Sequence, residues 1–425
     1  MTESVMDRRR RLMGPNVPTF YDPPLHVVEA QGVWIRDAEG RRYLDAYNNV
    51  PHVGHGHPRV IEAICRQAAE LNVHSRYLHD RVLDALERLT ATLGHGITQG
   101  MLVCTGSEAN DVALRMAQAR TGKTGIIATD TTYHGNTTAT AALSTRRPPI
   151  GGRPDHVRLV TAPDLLLPPG SERSQAGHRF AAGVEDAITA LESSGHGFSA
   201  LILCPFFANE GLPDLPPGFL NPVQGLVTRS GGIVIADEVQ PGLGRLGSHF
   251  WGHQRAGLVP DIVTAAKSLG NGYPVAAVLT RPEIMDAFRA AFGYFNTFGG
   301  TPVAAAAVLA TLDVLRDEGL QENAATTGRW LLDRLREVRH PAIADVRGTG
   351  LAVGVELAPE GDRVAGGTLA AAVVEAMRHE GVLIHRIGRH GQVLKIRPPL
   401  PFGIPEADRL ADALARCLAP LPAAP

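Results

Sequence analysis

The sequence predicts an α/β fold, with a large domain on a mostly parallel central sheet and a smaller α+β C-terminal lobe. Two observations carry this. Between about residues 100 and 280, short apolar runs alternate with helical segments, the best strand candidates being MLVCT, TGIIATD, ALILCP, GIVIADE and VAAVLT. Runs that are apolar throughout suit strands covered on both faces, and strand–helix alternation produces parallel order. Length is the second observation: 425 residues exceed one ordinary core and suit two or more tightly associated lobes.

The elements follow in chain order. The first fifty-odd residues read as irregular and strand-rich, VVEAQGVWIRDAEGRRYLDAYNNV alternating apolar and polar residues around a turn at Asp37 to Gly40. PRVIEAICRQAAELN and HDRVLDALERLTATL repeat apolar residues at helical spacing. Within the alternating region, Ser144 to Gly183 is rich in Pro, Gly and Ser and is expected to form a long surface connection. AAAAVLATLDVLRDEGL reads as a long helix bridging to the C-terminal lobe, whose strands lie in RGTGLAVGVEL and QVLKIRPPL. The expected division is an N-terminal segment over 1–60 packing with the small lobe, a large domain over 61–305, and a C-terminal domain with the bridging helix over 306–425. No internal repeat interrupts this order, and the Pro/Ala tail is the only low-complexity block.

Composition narrows the function. Hydrophobic residues are 44% and charged residues 20%, an ordinary globular mixture, and the formal net charge is −2 from 41 basic and 43 acidic side chains. No long-range attraction to nucleic acid or an anionic membrane is expected. The run Arg8 to Arg11 reads as a solvated face, since no second basic cluster follows it. Cys65, Cys104, Cys204 and Cys417 are scattered, which argues against a disulfide framework or structural zinc and fits a reducing cytoplasm. No secretory signal and no apolar stretch near the ~18 residues of a membrane span is present. Only Lys123, Lys267 and Lys395 among the basic residues are lysines. A search for a nucleophilic amine therefore has three positions, because arginine stays protonated.

Four features carry chemistry. CTGSEAND sets Gly106 and Ser107 between a strand and a helix, where backbone N–H groups bind phosphate; Ser107 as a plain helix cap explains the same residues. GIVIADEVQ puts Asp237 at the end of an apolar strand, where ligands of such sheets collect, although a cap or a magnesium ligand fits too. PDIVTAAKSLGNGYP presents Lys267 after another apolar strand, in surroundings that lower an amine's pKa and free it to attack an aldehyde. YHG supplies Tyr133, as an aromatic face in a loop or as a core tyrosine.

Taken in order, GSEAN, YHG, ADEVQ, K-S-L-G-N-G, TFGG and I-R-P-P-L resemble the class III (omega) aminotransferases, a family of fold type I enzymes dependent on pyridoxal 5'-phosphate (PLP). The resemblance runs end to end, and NNVPHVGHGHP, LNVHSRYLHD and DEVQPGLGRLGSHFWGHQ are similar to mitochondrial-type alanine–glyoxylate aminotransferases and ethanolamine-phosphate phospho-lyases. It implies Lys267 as the Schiff-base lysine and Asp237 as the acid on the pyridine nitrogen. It implies Gln240 near the phenolic oxygen, Val239 and Tyr133 on the two ring faces, and Gly106 and Ser107 around the phosphate. Thr297, thirty residues beyond Lys267, matches a threonine that reaches the phosphate of the neighbouring subunit, which implies a homodimer with shared sites. Arg397 matches an arginine that grips a substrate α-carboxylate.

One region departs from the family. Many members carry a segment like E-P-I-Q-G-E-G-G, whereas residues 204–211 read CPFFANEG, and neither glutamate falls in place; Glu210 stands one position from the second. The implied reaction is amino transfer from an amino acid or amine to an oxo acid or aldehyde. The departure keeps open a β- or γ-elimination or replacement of the phospho-lyase kind. An intact Lys267 and Asp237 argue against a third reading, a binding subunit that has lost catalysis. His52, His55 and His57 suggest a metal by their spacing, but relatives use the same stretch as a structural turn, and no metal is expected.

Overall fold

In the computed structural model, which describes residues 3–146, 148–164, 173–216 and 218–421, seven strands form the central sheet. Their spatial order is Gln99–Val103, Ala276–Thr280, Ile262–Ala265, Ile233–Asp237, Phe198–Leu203, Gly125–Thr129 and Val157–Val160. The last five run parallel, while Ala276–Thr280 is antiparallel to both of its neighbours. Every residue of Phe198–Leu203 and of Ile233–Asp237 is buried, which is why these strands read as continuous apolar runs.

Helix Gly106–Thr121 covers one face through Val112, Ala113 and Met116. Helices Arg173–Ser193 and Asn221–Arg229 cover the other. The expected connection over 144–183 is corrected here: it contains the edge strand Val157–Val160 and the start of helix Arg173–Ser193. The strand is only VRLV, too short to show a period against its Pro- and Gly-rich flanks. In the helix, Phe180, Val184, Ile188 and Leu191 form the buried stripe. Residues 165–172 of that stretch, and the Pro/Ala tail from 422, lie outside the described residues.

The bridging helix, Pro302–Asp317, starts under a Thr301 cap with proline in its first turn. Its run Ala304 to Ala307 is buried, and the small side chains let it pack closely against helices Pro58–Glu70 and Asp80–Thr90. Beyond it, Ile343–Thr349, Ala352–Leu357, Val393–Ile396 and His385–Ile387 form an antiparallel sheet. The N-terminal strands Val27–Gln31, Trp34–Asp37 and Arg42–Asp45 make a third sheet, and Val382–Leu383 joins it in parallel to Arg42–Asp45. The beginning of the chain is thus tied to its end. A first helix, Val5–Met13, was not legible as one; it buries no residue, so Arg8 to Arg11 lie on a solvated face. No helix among the described residues is long and apolar enough to cross a membrane.

Candidate active site

A cavity of about 330 Å³ opens at the carboxyl ends of the parallel strands and is lined by Gly106, Ser107, Tyr133, Asp237, Val239, Gln240 and Lys267. Strand ends of this kind are where open α/β sheets gather ligands. Seven of the nine expected site residues therefore meet in one place.

Asp237 terminates its strand and is buried. Its Oδ2 accepts from Asn110 Nδ2 at 2.9 Å and lies 2.6 Å from His134 Nδ1; its Oδ1 accepts from the Val239 N–H at 3.1 Å. An ionised carboxylate only accepts, so Nδ1 carries the imidazole proton. Burial pushes the Asp237 carboxyl up, but His134, the charge of Lys267 and the Val239 N–H together hold it below the usual carboxylate range. Asn110 is itself fixed, donating to the His134 carbonyl at 2.8 Å and accepting from Thr264 Oγ1 at 2.7 Å.

Helix Gly106–Thr121 is capped by Thr105, whose Oγ1 accepts from the Glu108 N–H at 3.1 Å. That removes the reading of Ser107 as the cap and leaves the first-turn N–H groups directed at the cavity. Ser107 Oγ accepts from the Asn136 N–H at 3.0 Å. Gly135, at φ 145°, lies so close to Ser107 that a Cβ there would come within 2.7 Å of Ser107 Cα. Gly106 is confined in the same way, its missing Cβ 3.2 Å from Val239 and 3.3 Å from Ala266.

Lys267 follows strand Ile262–Ala265 by two residues and holds a left-handed φ of 44°. Such a conformation costs of order 1–3 kcal/mol for a non-glycine residue and recurs at functional sites. Burial and then the charge of Arg397 push its amine down to about 8, against an opposing pull from Asp237.

Gln240 is held at both ends. Its Nε2 donates to Asn209 Oδ1 at 3.1 Å, and its Oε1 accepts from Lys395 Nζ at 2.8 Å and from Arg397 Nη1. Arg397 is buried and also reaches the Tyr47 carbonyl at 3.4 Å. It does not line the cavity. Thr297 is exposed on the loop before the bridging helix and does not line it either. Glu210 of the departing segment is turned away, Oε1 accepting from Thr129 Oγ1 at 2.8 Å, while Cys204, Phe206 and Ala208 join an apolar cluster with Leu246 and Val393. The three histidines do not converge: His52 meets Leu243 and Arg245, His55 meets Asp45, and His57 meets Glu318. No cluster of three or more His, Cys, Asp or Glu fit for a metal occurs among the described residues.

Sequence reasoning missed Asn110, His134, Asn209 and Lys395. Asn110 and His134 sit inside the quoted motifs GSEAN and YHG, and Lys395 is one of three lysines, placed in the apolar strand VLKI. A polar residue in an apolar run was the available signal.

The sequence matches the aminotransferase class-III family over residues 17–418. The chain belongs to that family. An alanine–glyoxylate aminotransferase 2-like protein of Drosophila melanogaster is 36% identical over 98% of this chain and 87% of its own length. An ethanolamine-phosphate phospho-lyase homologue of Caenorhabditis elegans is 36% identical over 94% and 90% respectively. Among solved structures, a phospholyase from Arthrobacter in complex with phosphoethanolamine shares 41% identity and a TM-score of 0.95, covering 99% of this chain and 100% of that one. This class-III protein is therefore a PLP-dependent enzyme of fold type I. Its residues fit the cofactor: an amine poised near neutrality, a buried ionised carboxylate beside it, and a glycine cradle at a helix N-terminus.

Proposed function

We propose that Lys267 holds PLP as an imine and that the enzyme transfers an amino group from an amino acid or amine to an oxo acid or aldehyde. The observation that carries this is the Lys267 amine, lowered to about 8 and opposed by the buried Asp237 carboxylate across one cavity. When bound, PLP supplies an aldehyde for the substrate amine and a conjugated ring that spreads the charge left at Cα. Lys267, with part of its amine neutral at physiological pH, takes and returns the Cα proton. Asp237, kept ionised by His134 and Asn110, holds the pyridine nitrogen protonated. Val239 and Tyr133 would confine the ring from its two faces. The N–H groups of Gly106 and Ser107 would hold the phosphate, and Gln240 would offer an N–H to the phenolic oxygen. Arg397 supports Gln240 through one N–H, and its further N–H groups leave it the candidate for gripping a substrate carboxylate.

Lys267→Ala is expected to abolish both the long-wavelength imine absorption and turnover, while Lys123→Ala leaves both in place. A borohydride-reducible imine persisting in Lys267→Ala overturns the assignment.

A second reading, elimination from an amine carrying a phosphate or similar leaving group, is favoured by one observation. Cys204, Phe206 and Ala208 of the segment at 204–211 join an apolar cluster and Glu210 is turned out of the site, in line with the Arthrobacter relative named a phospholyase. Incubation with amino donors and oxo acids, and separately with O-phosphoethanolamine, decides between them. Conversion of the cofactor to its amine form marks transfer, and phosphate release with the cofactor regenerated marks elimination.

The working unit in this reading is a homodimer, with the exposed Thr297 reaching the phosphate of the partner's site. The cytoplasm suits its four free cysteines. Mixing inactive Lys267→Ala and Thr297→Glu subunits puts both lesions in one site of a heterodimer and leaves the other intact. Recovery of up to about half the activity per heterodimer is expected under two-fold symmetry. No recovery from verified heterodimers removes Thr297 from the partner's site.

A further inference from the structure

Lys395 stands in the strand Val393–Ile396 and is 3% exposed. A buried ammonium ordinarily needs a carboxylate partner. Among the described residues it has none: Nζ donates to the Ala208 carbonyl and to Gln240 Oε1, each at 2.8 Å, and both acceptors are neutral. Arg397 ends on the same Gln240 oxygen. Two basic side chains thus converge on one amide oxygen at the back of the cavity.

An amide has an accepting end and a donating end, and it can turn over unless its neighbours distinguish them. Here they do. With Oε1 taken by Lys395 and Arg397 and one N–H committed to Asn209, the second N–H is the polar group that Gln240 has left to offer the cavity it lines.

We propose that Lys395 is a positioning residue of the active site, which together with Arg397 locks the Gln240 side chain as a hydrogen-bond donor toward the cofactor's phenolic oxygen. The inference rests on the reading that Lys267 carries PLP. The lock works whether or not Lys395 is protonated, since an amine donates in either state. The charged and titratable groups facing Lys395 and Lys267 are Asp237, Cys204, Arg397, Arg146 and His385. Burial pushes the Cys204 thiol up, so it stays neutral and offers the Lys395 amine no anion.

A donor on the phenolic oxygen stabilises that oxygen as an anion, and does so most once the proton it shares with the imine has gone. Losing the donor therefore raises the pH at which the imine loses its proton. The test is a double-mutant cycle on holoenzyme, read by spectrophotometric pH titration of the imine band, with Lys395→Met and Gln240→Ala alone and combined. Gln240→Ala is expected to raise the midpoint by about one pH unit, Lys395→Met by less because Arg397 still reaches the Gln240 oxygen, and the double variant by no more than Gln240→Ala. Lys395→Gln, which keeps an N–H for the Gln240 oxygen, should recover most of the wild-type midpoint, and it serves as the test if Lys395→Met does not fold. An unshifted midpoint in Lys395→Met overturns the proposal, as does the same shift with and without Gln240, which would mean that Lys395 acts on the imine directly. Absence of an imine band from the wild type would instead refute the assignment of Lys267.

Discussion

Two cavities of similar size lie at the carboxyl end of the central sheet, and they treat charge in opposite ways. The one lined by Lys267 and Asp237 measures about 330 Å³; the other, between the large domain and the C-terminal sheet, measures about 300 Å³. In the second, each arginine is answered by acids. Arg347 pairs with Asp345 at 2.9 Å and Glu356 at 2.6 Å, Arg363 pairs with Glu356 at 2.9 Å and with Asp164, and Arg389 pairs with Asp130. In the first, burial and through-space charge act on the Lys267 amine, and Lys395 has no carboxylate partner among the described residues. Size does not separate a site from a seam. Here the cavity whose arginines are all paired joins two lobes, and the one whose lysines lack carboxylate partners can act on a ligand.

The strongest way to break this comparison is Asp237→Asn. The amide fills the same space but cannot keep the pyridine nitrogen protonated by charge. Removing one preorganised electrostatic group typically lowers turnover by about 10²–10³, and cofactor binding should persist. Wild-type turnover in Asp237→Asn would show the acid to be elsewhere.

The same operation in the other cavity should leave turnover alone. Arg347→Met strands Glu356, which is 2% exposed, in part, since Arg363 and Gln392 still reach it. Arg347 also donates to the Gly211 and Leu212 carbonyls and to Asp345, so the loss is expected to exceed the about 1.5–3 kcal/mol of a single hydrogen bond to a buried charge. Denaturant unfolding and turnover per folded molecule check the pair of expectations. A hundredfold loss of turnover at unchanged stability would make the second cavity part of the site.

The contrast between the cavities marks what could be read from the sequence. Asp237 and Lys267 were legible because one ends and the other closely follows a largely apolar strand, where a charged side chain has no structural reason to be. Gly106 was legible because close approach at a helix N-terminus tolerates nothing larger, whereas the packing of Gly135 against Ser107 was not. The Arg347–Glu356–Arg363 seam was not legible: its members come from a β-hairpin and from the helix Arg363–His379, and pairing across such distances leaves no local pattern. The edge strand Val157–Val160 was lost for a related reason, its order coming from the neighbouring Gly125–Thr129 rather than from its own four residues. For Arg397 the resemblance gave a role toward substrate, and the structure places the side chain on Gln240. His134 was quoted within YHG and passed over because its partner lies 103 residues away.

That partnership gives the smallest of the expected effects and the sharpest in form. His134→Leu removes one donor from Asp237 while Asn110 and the Val239 N–H remain. A lost hydrogen bond to a charged group, at the low end of about 1.5–3 kcal/mol, corresponds to roughly tenfold in rate. The pH dependence of stability distinguishes support of the carboxylate from mere filling of space. In the wild type Asp237 is held below its ordinary value, so the stability it contributes is present above about pH 3.9 and is lost as pH falls through the folded value. Without His134, burial prevails and moves the folded value upward. The ionised carboxylate then costs stability, and the variant should fall further behind the wild type as pH rises from about 4 to about 7. Thermal unfolding of both apoproteins across that range measures the gap. A gap that stays constant with pH means that His134 only fills space, and that Asp237 is kept ionised by Asn110, Lys267 and the backbone.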